Sequence, residues 1–541
     1  MDELNRSGYW PLAVWLLPLV AALVLVFVPS RFSNAVRGIA GAASVAMFLI
    51  SLYIFIAYQG SVGGIQFEKS WTWMENASVL GRNGIALHVG VDGIAAPMVL
   101  LTGIVIMSGS IISWKIQYRN KDFYILLFVL VAGVFGTFVA LDMFMFFFFY
   151  ELAVIPMYLL IAVWGSTRKE YGAMKLTVML VAGSVLIFIG IFAVFHRAGL
   201  GTFDLPVLWN LARQPNGPLD PTFQKVFFPF MAVGCGFLAA MWPFHTWSPD
   251  GHMAAPTAVS MLHAGVLMKL GAFGIIRLAM QLLPVGAEFW MPGVILLGTI
   301  NALYGSFSAL AQRDFKQMIG YSSVSHMGYV IMGLATMNLV GINGAVLQMF
   351  AHGVMTALFF AMVGALYDQA HTREMNVFGG LAGKMPLFSI LFILAGLSGV
   401  GLPALAGFVA EFNIFVGVFR TYPVLGALAV SAAAVSAAYT FRMFALVFFG
   451  RFNPRWARLR DLQKSEIFSG VALAVWIVFM GVYPKPFTDR IVPSVRELPG
   501  VTDPTRPVER RVERSLDVPV VPCTPAPSCA QRAPVQATSG R

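Results

Sequence analysis

The sequence predicts an all-α integral membrane protein with about fourteen transmembrane helices. Three observations carry that expectation. Of 541 residues, 58% are apolar and only 11% are charged, and the mean hydropathy is +0.76, far from the soluble globular range. The apolar residues gather in windows of about 20, the length that crosses a bilayer as a helix. Five titratable side chains, Glu151, Lys269, His326, His352 and Glu411, lie on five different windows. Each costs roughly 2.5 to 3.5 kcal/mol at a bilayer centre if charged, so together they point to a path for ions.

The expected spans run over 10–29, 35–58, 92–114, 123–140, 143–164, 173–195, 226–252, 256–282, 290–311, 317–336, 341–367, 386–418, 423–449 and 466–484. If the N-terminus is outside, about seventeen Lys and Arg fall in inner connections against about seven on the other side, which sets both termini outside. The inner set includes Arg31, Lys115, Arg168, Arg373 and the cluster Arg451, Arg455, Arg458 and Arg460. Lys316 and Arg313, at a helix end, read as snorkelling anchors of that topology. Asp142 reads either as a loop acid or as a contact to a neighbour. No cleavable signal is expected, because the first apolar run leads straight into further spans.

Composition also excludes several classes. The formal charge of +11 sits in short loops and the tail, where it orients a membrane protein, so nucleic acid is not an expected partner. Cys235, Cys523 and Cys529 are too few and too scattered for an iron–sulfur cluster or a structural zinc. With no P-loop and no glycine fingerprint, neither ATP nor NADH is expected to bind this chain. From about Arg496 to Arg541 the sequence is rich in Pro, Arg and Ser without apolar period, which predicts disorder.

Two windows are too long for one untilted crossing and contain helix breakers. The seventh holds Trp242, Pro243, Pro249, Asp250, Gly251 and His252; the twelfth holds Gly396, Gly399, Gly401, Pro403 and Gly407, then Glu411. Interrupted helices are tolerated at membrane depth only where they are buried or line a hydrated cavity. The breaks lie five spans apart, and an odd number of spans per unit inverts the second copy. The expected organisation is therefore 1–120 with helices 1–3, inverted five-helix repeats at 121–285 and 286–450, a basic inner loop and helix 14 at 451–495, and the tail at 496–541.

At this point the residues resemble a known family. PFHTWSPDGHMAAPTAVSMLHAGVLMKLGAFGIIR (243–277) is similar to the seventh and eighth helices of the antiporter-like subunits of respiratory complex I, NADH:quinone oxidoreductase. RDFKQMIGYSSVSHMGYVIMG (313–333), AHGVMTALFF (351–360), HTREMNVFGGLAGKMP (371–386) and GLPALAGFVAEF (401–412) extend the resemblance, and the HTR run favours its subunit M (chain 4) branch. The resemblance implies two inverted repeats and proton translocation driven by quinone reduction in partner subunits. It places FMN, iron–sulfur clusters and quinone in those partners and no cofactor or metal in this chain. It also implies neighbours similar to subunits L and N, and an energy-transducing membrane such as the bacterial inner membrane. Alternatives are a cation/proton antiporter subunit and a structural subunit with impaired pumping.

Carried over residue by residue, the resemblance makes Glu151 the fifth-helix glutamate, Lys269 the central eighth-helix lysine, His326 and His352 the tenth- and eleventh-helix histidines, and Glu411 the twelfth-helix exit residue. His245 and His263 are secondary candidates. Such groups suit proton transfer because burial moves Lys and Glu toward neutrality from opposite sides and His needs little shift. One departure is plain: the seventh-helix lysine expected seven residues before His245 is Leu238. Glu151 must then find another cation, with His245, His263 and Lys269 as candidates, or carry the proton itself.

Overall fold

The computed structural model describes residues 8–74, 84–214 and 216–503. Its helices are α1 (Tyr9–Phe27), α2 (Ser33–Ala57), α3 (Ala95–Ile112), α4 (Asn120–Val139), α5 (Met143–Trp164) and α6 (Lys169–Ala198). The short α7 (Leu205–Ala212) precedes α8 (Pro221–Leu238) and α9 (Trp247–Ala254), which are two pieces of one broken segment. Then follow α10 (Thr257–Met280), α11 (Pro284–Ala311), α12 (Phe315–Ala335) and α13 (Leu339–Ala370). The second broken segment is α14 (Pro386–Gly399) with α15 (Ala406–Thr421), and α16 (Pro423–Val447), α17 (Lys464–Val482) and α18 (Lys485–Arg496) complete the helices of eight or more residues.

Among the described residues, eleven helices are long and apolar enough to cross a membrane. The tenth expected span, α12, falls outside that group because Lys316, Ser322, Ser323, Ser325 and His326 dilute its apolar character. The seventh and twelfth fall outside it because they are broken. Local chemistry sets the starts. Pro221, Pro284, Pro386 and Pro423 open their helices, where a missing N–H costs nothing. Asp142, Asp314 and Asn338 accept backbone N–H groups as N-caps of α5, α12 and α13. Asp142 is thus neither a free loop acid nor an exposed contact.

Helix α11 runs along α12, α4 along α5, and α13 along α15. Small residues allow the closest of these approaches. A Cβ on Gly328 would lie 2.5 Å from Ala302 N, and one on Gly305 would lie 2.6 Å from Ser325 N. That tight seam fixes the height of His326, which lies between Ser325 and Gly328.

Two features depart from the all-helical expectation. A β-hairpin, β1 (Gln66–Met74) and β2 (Ile85–Val91), joins α2 to α3; its mixed polar pattern gave no apolar window. The tail expected to be disordered from about Arg496 is ordered as far as it is described. The Thr502 N–H donates to Met337 O at 3.0 Å, Leu339 N–H donates to Thr502 O at 3.0 Å, and Arg213 Nη2 donates to Glu497 O at 2.9 Å. The amphipathic α18 returns the chain along this end of the bundle, which supplies those partners. Residues 504–541, with Cys523 and Cys529, lie outside the described residues.

The hairpin end carries a titratable cluster. His88 Nε2 lies 2.9 Å from Glu68 Oε1, and Nδ1 lies 2.6 Å from Asp204 Oδ2. Only the imidazolium can donate to both. Burial opposes that charge, but the hydrogen bond and charge of Asp204, then those of Glu68, hold His88 above its ordinary 6.5. Burial pushes Asp142 from 3.8 up to about 6, against the backbone N–H groups of Met145, Ala86 and Phe144 that favour its charged form. Both folded values are raised. Their stabilisation is therefore complete below the ordinary values and lost as pH rises through the folded ones, from about 4 to 6 for Asp142 and above 6.5 for His88. Intrinsic-rate-corrected amide exchange at 84–91 and 203–208 is expected to quicken between pH 5 and pH 9, and less so in His88→Gln. A flat profile in the native chain would remove the proton-linked contribution.

Candidate functional site

The apolar windows of α3, α10 and α13 are 100% buried by the rest of the chain, and nearly every residue of α12 is buried. Helices screened from lipid on all sides are where a membrane protein keeps polar groups. Lys269 on α10, His326 on α12, His352 on α13 and Glu411 on α15 are all buried.

These four form a contiguous row. α10 widens into π-helical turns at His263–Leu267 and Ile275–Met280, a departure frequent at functional sites. The Lys269 ammonium donates to the Ala264 carbonyl inside the first of them and lies 2.7 Å from His352 Nδ1. Because an ammonium only donates, this contact requires His352 Nδ1 to be the acceptor whenever Lys269 is charged. The His352 and His326 rings are 5.2 Å apart. His326 Nδ1 is 3.1 Å from Glu411 Oε1. Gln348 Nε2 stands between them, 3.2 Å from His326 Nδ1 and 3.3 Å from Glu411 Oε1.

Both expected breaks are present. α8 stops at Leu238 and α9 starts at Trp247; α14 stops at Gly399 and α15 starts at Ala406. Each gap holds an alanine in the left-handed region, Ala240 at φ +53° and Ala404 at φ +71°, a conformation costing roughly 1–2 kcal/mol. At the second break Gly401 has φ +76°, and a Cβ there would come within 3.0 Å of Glu411 Oε2. Glycine thus leaves the carboxylate its place at the end of the row.

A histidine pair adjoins the lysine end. The His263 ring lies 4.1 Å from that of His252 and stacks on Trp247 at 5.0 Å. His252 was not among the candidates read from sequence; its place inside the broken segment was the available signal. Lys316 was also missed. It is 4% exposed, not snorkelling, and its Nζ donates to Ala255 O at 2.5 Å and reaches Ser260 Oγ at 3.5 Å. The reason is that α12 enters the bundle at Asp314, so its first turn is already inside, against the loop after α9.

Two candidates are not joined to the row. Glu151, half-buried, accepts from Ser184 Oγ. Among the described residues no Lys, Arg or His is within ion-pair distance of it. His245 is buried and meets Tyr304 edge-on at 4.8 Å. Leu238 is buried at the last turn of α8, an apolar side chain where the resemblance implies a lysine.

Residues 140–436 match the family model described as NADH:quinone oxidoreductase/Mrp antiporter, TM. The chain is 36% identical over 501 residues to NADH-quinone oxidoreductase subunit M of Rhodobacter capsulatus, covering 89% of this chain and 94% of that one. It is 34% identical to F(420)H(2) dehydrogenase subunit M of Methanosarcina mazei, covering 88% and 95%. A chain of respiratory complex I from Thermus thermophilus superposes with a TM-score of 0.81 at 26% identity, covering 90% of this chain and 98% of that one. With the match spanning both broken segments and the whole buried row, the chain belongs to the NADH:quinone oxidoreductase/Mrp antiporter transmembrane family.

Proposed function

We propose that this chain is a proton-translocating, antiporter-like membrane-arm subunit of a complex I type quinone reductase. The observation that carries the reading is the unbroken Lys269–His352–His326–Glu411 row across four helices. Each member gains and loses a proton, and each lies within direct or single-water reach of the next. Charge at one member sets the proton affinity of its neighbours, so the row titrates as a unit. A distant redox event needs only to shift the charge at one end.

The chain is read as two inverted units, 121–285 and 286–450. In support, the pairing of the first two helices recurs as α4 with α5 and α11 with α12, and each unit has one broken helix packed on its third. With both termini outside, the Arg-rich connections face the inner side of an energy-transducing membrane. FMN, iron–sulfur clusters and quinone belong to partner subunits, and the membrane-arm neighbours of this chain are L-like and N-like antiporter subunits. Leu238 and the absence of a cation at Glu151 favour a second reading for the start of the first unit, in which Glu151 is structural and protons move through the row alone.

Affinity purification from native membranes through a tag on this chain is expected to bring down flavin- and cluster-bearing subunits. Recovery with only small membrane subunits and no redox centres would replace this reading with that of a cation/proton antiporter.

A further inference from the structure

Outside the row, the basic end of the bundle holds a cavity of about 560 Å³, walled in part by Lys115, Ser166, Ala255, Lys316, Asp368 and His371. That is many times the roughly 30 Å³ one water occupies in the liquid. Two lysines and one carboxylate line it, and a second carboxylate, Glu466, pairs with Lys115 behind the wall. Lys115 donates to Glu466 and lies 3.5 Å from Asp368 Oδ2. Glu466 is 1% exposed and also accepts the Gln463 N–H at 2.7 Å as part of the α17 cap. It is therefore fixed. Asp368 is 44% exposed at its side chain and makes only the longer contact, so it is the more accessible carboxylate of the two.

Lys316 faces the same cavity from α12. Its other charged neighbours cancel, since Arg373 Nε and Asp314 Oδ2 pair at 3.3 Å and Arg373 Nη1 is further held by Met253 O at 2.7 Å. Its Nζ rests on the Ala255 carbonyl and Ser260 Oγ, and among the described residues no carboxylate lies within ion-pair distance of it. Ser260 Oγ also donates toward His252 O at 3.3 Å, and His252 is the ring against His263. A buried lysine thus stands between a roomy cavity and the histidine pair at the lysine end of the row.

We infer that this cavity is the mouth through which the row takes up protons, with Asp368 as the collecting carboxylate and Lys316 as the first buried acceptor. The inference rests on the proton-translocation reading above. A proton taken from the aqueous side makes Asp368 neutral; it passes through cavity water to the Lys316 amine, leaving Asp368 anionic and Lys316 an ammonium. The ammonium then gives it up toward His252 and His263 and returns to the amine. Lys115, tied to the fixed Glu466, keeps Asp368 at the rim and is a positioning residue. When Asp368 takes up the next proton while Lys316 is still charged, the ammonium loses that carboxylate's attraction across the cavity, which favours onward release.

The test is the pumping rate of the whole complex in proteoliposomes at varied pH on the basic-end side, for native, Asp368→Asn, Lys316→Met and Glu411→Gln. Asp368→Asn sits at a half-exposed site and is expected to assemble. The share of pumping that this chain carries should fall about tenfold at pH 8, where free protons are scarce, and less than about twofold at pH 6, with KM for quinone unchanged. Lys316→Met should lower pumping at every pH. An Asp368→Asn profile parallel to the native one overturns the proposal. If Glu411→Gln pumps poorly while Asp368→Asn and Lys316→Met match the native complex, only the mouth is wrong; if all three match it, the underlying reading fails as well.

Discussion

Arg277→Met is expected to destabilise the chain by about 3 kcal/mol, enough to lower the thermal midpoint of the assembled complex and the yield of intact complex. Arg277 Nη2 lies 2.5 Å from Asp92 Oδ1, and both side chains are nearly buried. Nη1 donates to Gln281 Oε1 at 3.2 Å, and the guanidinium lies over Phe273 at 4.8 Å and Trp209 at 5.4 Å. The pair ties α10 to the start of α3, where Asp92 also accepts the Ala95 and Ile94 N–H groups at 2.9 and 3.2 Å. Removing the arginine leaves a buried carboxylate with backbone donors but no cation, which is the costly way to break such a pair. Removing both charges is far milder. The double variant Asp92→Asn with Arg277→Met is expected to recover at least half of the loss; equal loss in the single and double variants would show that shape rather than charge is responsible.

Lys269→Arg is expected to stop proton transfer through this chain about as completely as Lys269→Met, although it preserves positive charge. An arginine stays protonated at any accessible pH, so it can hold the electrostatic field of the row but cannot hand a proton to His352. The comparison separates two roles for the residue. If charge alone mattered, arginine would retain native behaviour while methionine would not. Turnover-linked acidification of vesicle interiors, scaled to quinone reduced, reads the difference. Pumping by Lys269→Arg at the native level would reduce Lys269 to a fixed charge.

Much of this was legible in the sequence because membrane burial makes polar residues conspicuous. Lys269, His326, His352 and Glu411 stood out one by one on apolar windows, and the structure brings them into one row. The breaks were legible too, since Pro and Gly at 243–256 and 396–407 allow no continuous helix. What failed was inference about neighbours across the bundle. Lys316 looked terminal because sequence position gives distance from a helix end and not depth, and α12 begins inside the protein. His252 was marked only by its place inside the broken segment, and its pairing with His263, 4.1 Å away, was not readable from the chain. Glu151 stood out by its apolar setting, and Leu238 already signalled its missing lysine; its contact is Ser184 on the adjacent helix. The hairpin escaped because an amphipathic strand pair has no apolar window, although it carries the His88 cluster.

The most direct test of the row is the proton-to-electron stoichiometry of the reconstituted complex, measured for the native protein, Lys269→Met and Glu411→Gln. Methionine keeps the length and apolar bulk of lysine, and glutamine keeps the shape of the carboxylate, so each removes a proton site with little change in packing. A buried Lys269–His352–His326–Glu411 path predicts a lower stoichiometry in both variants, by the share of pumping that this chain carries. Native stoichiometry in both would contradict it and leave the row a structural feature.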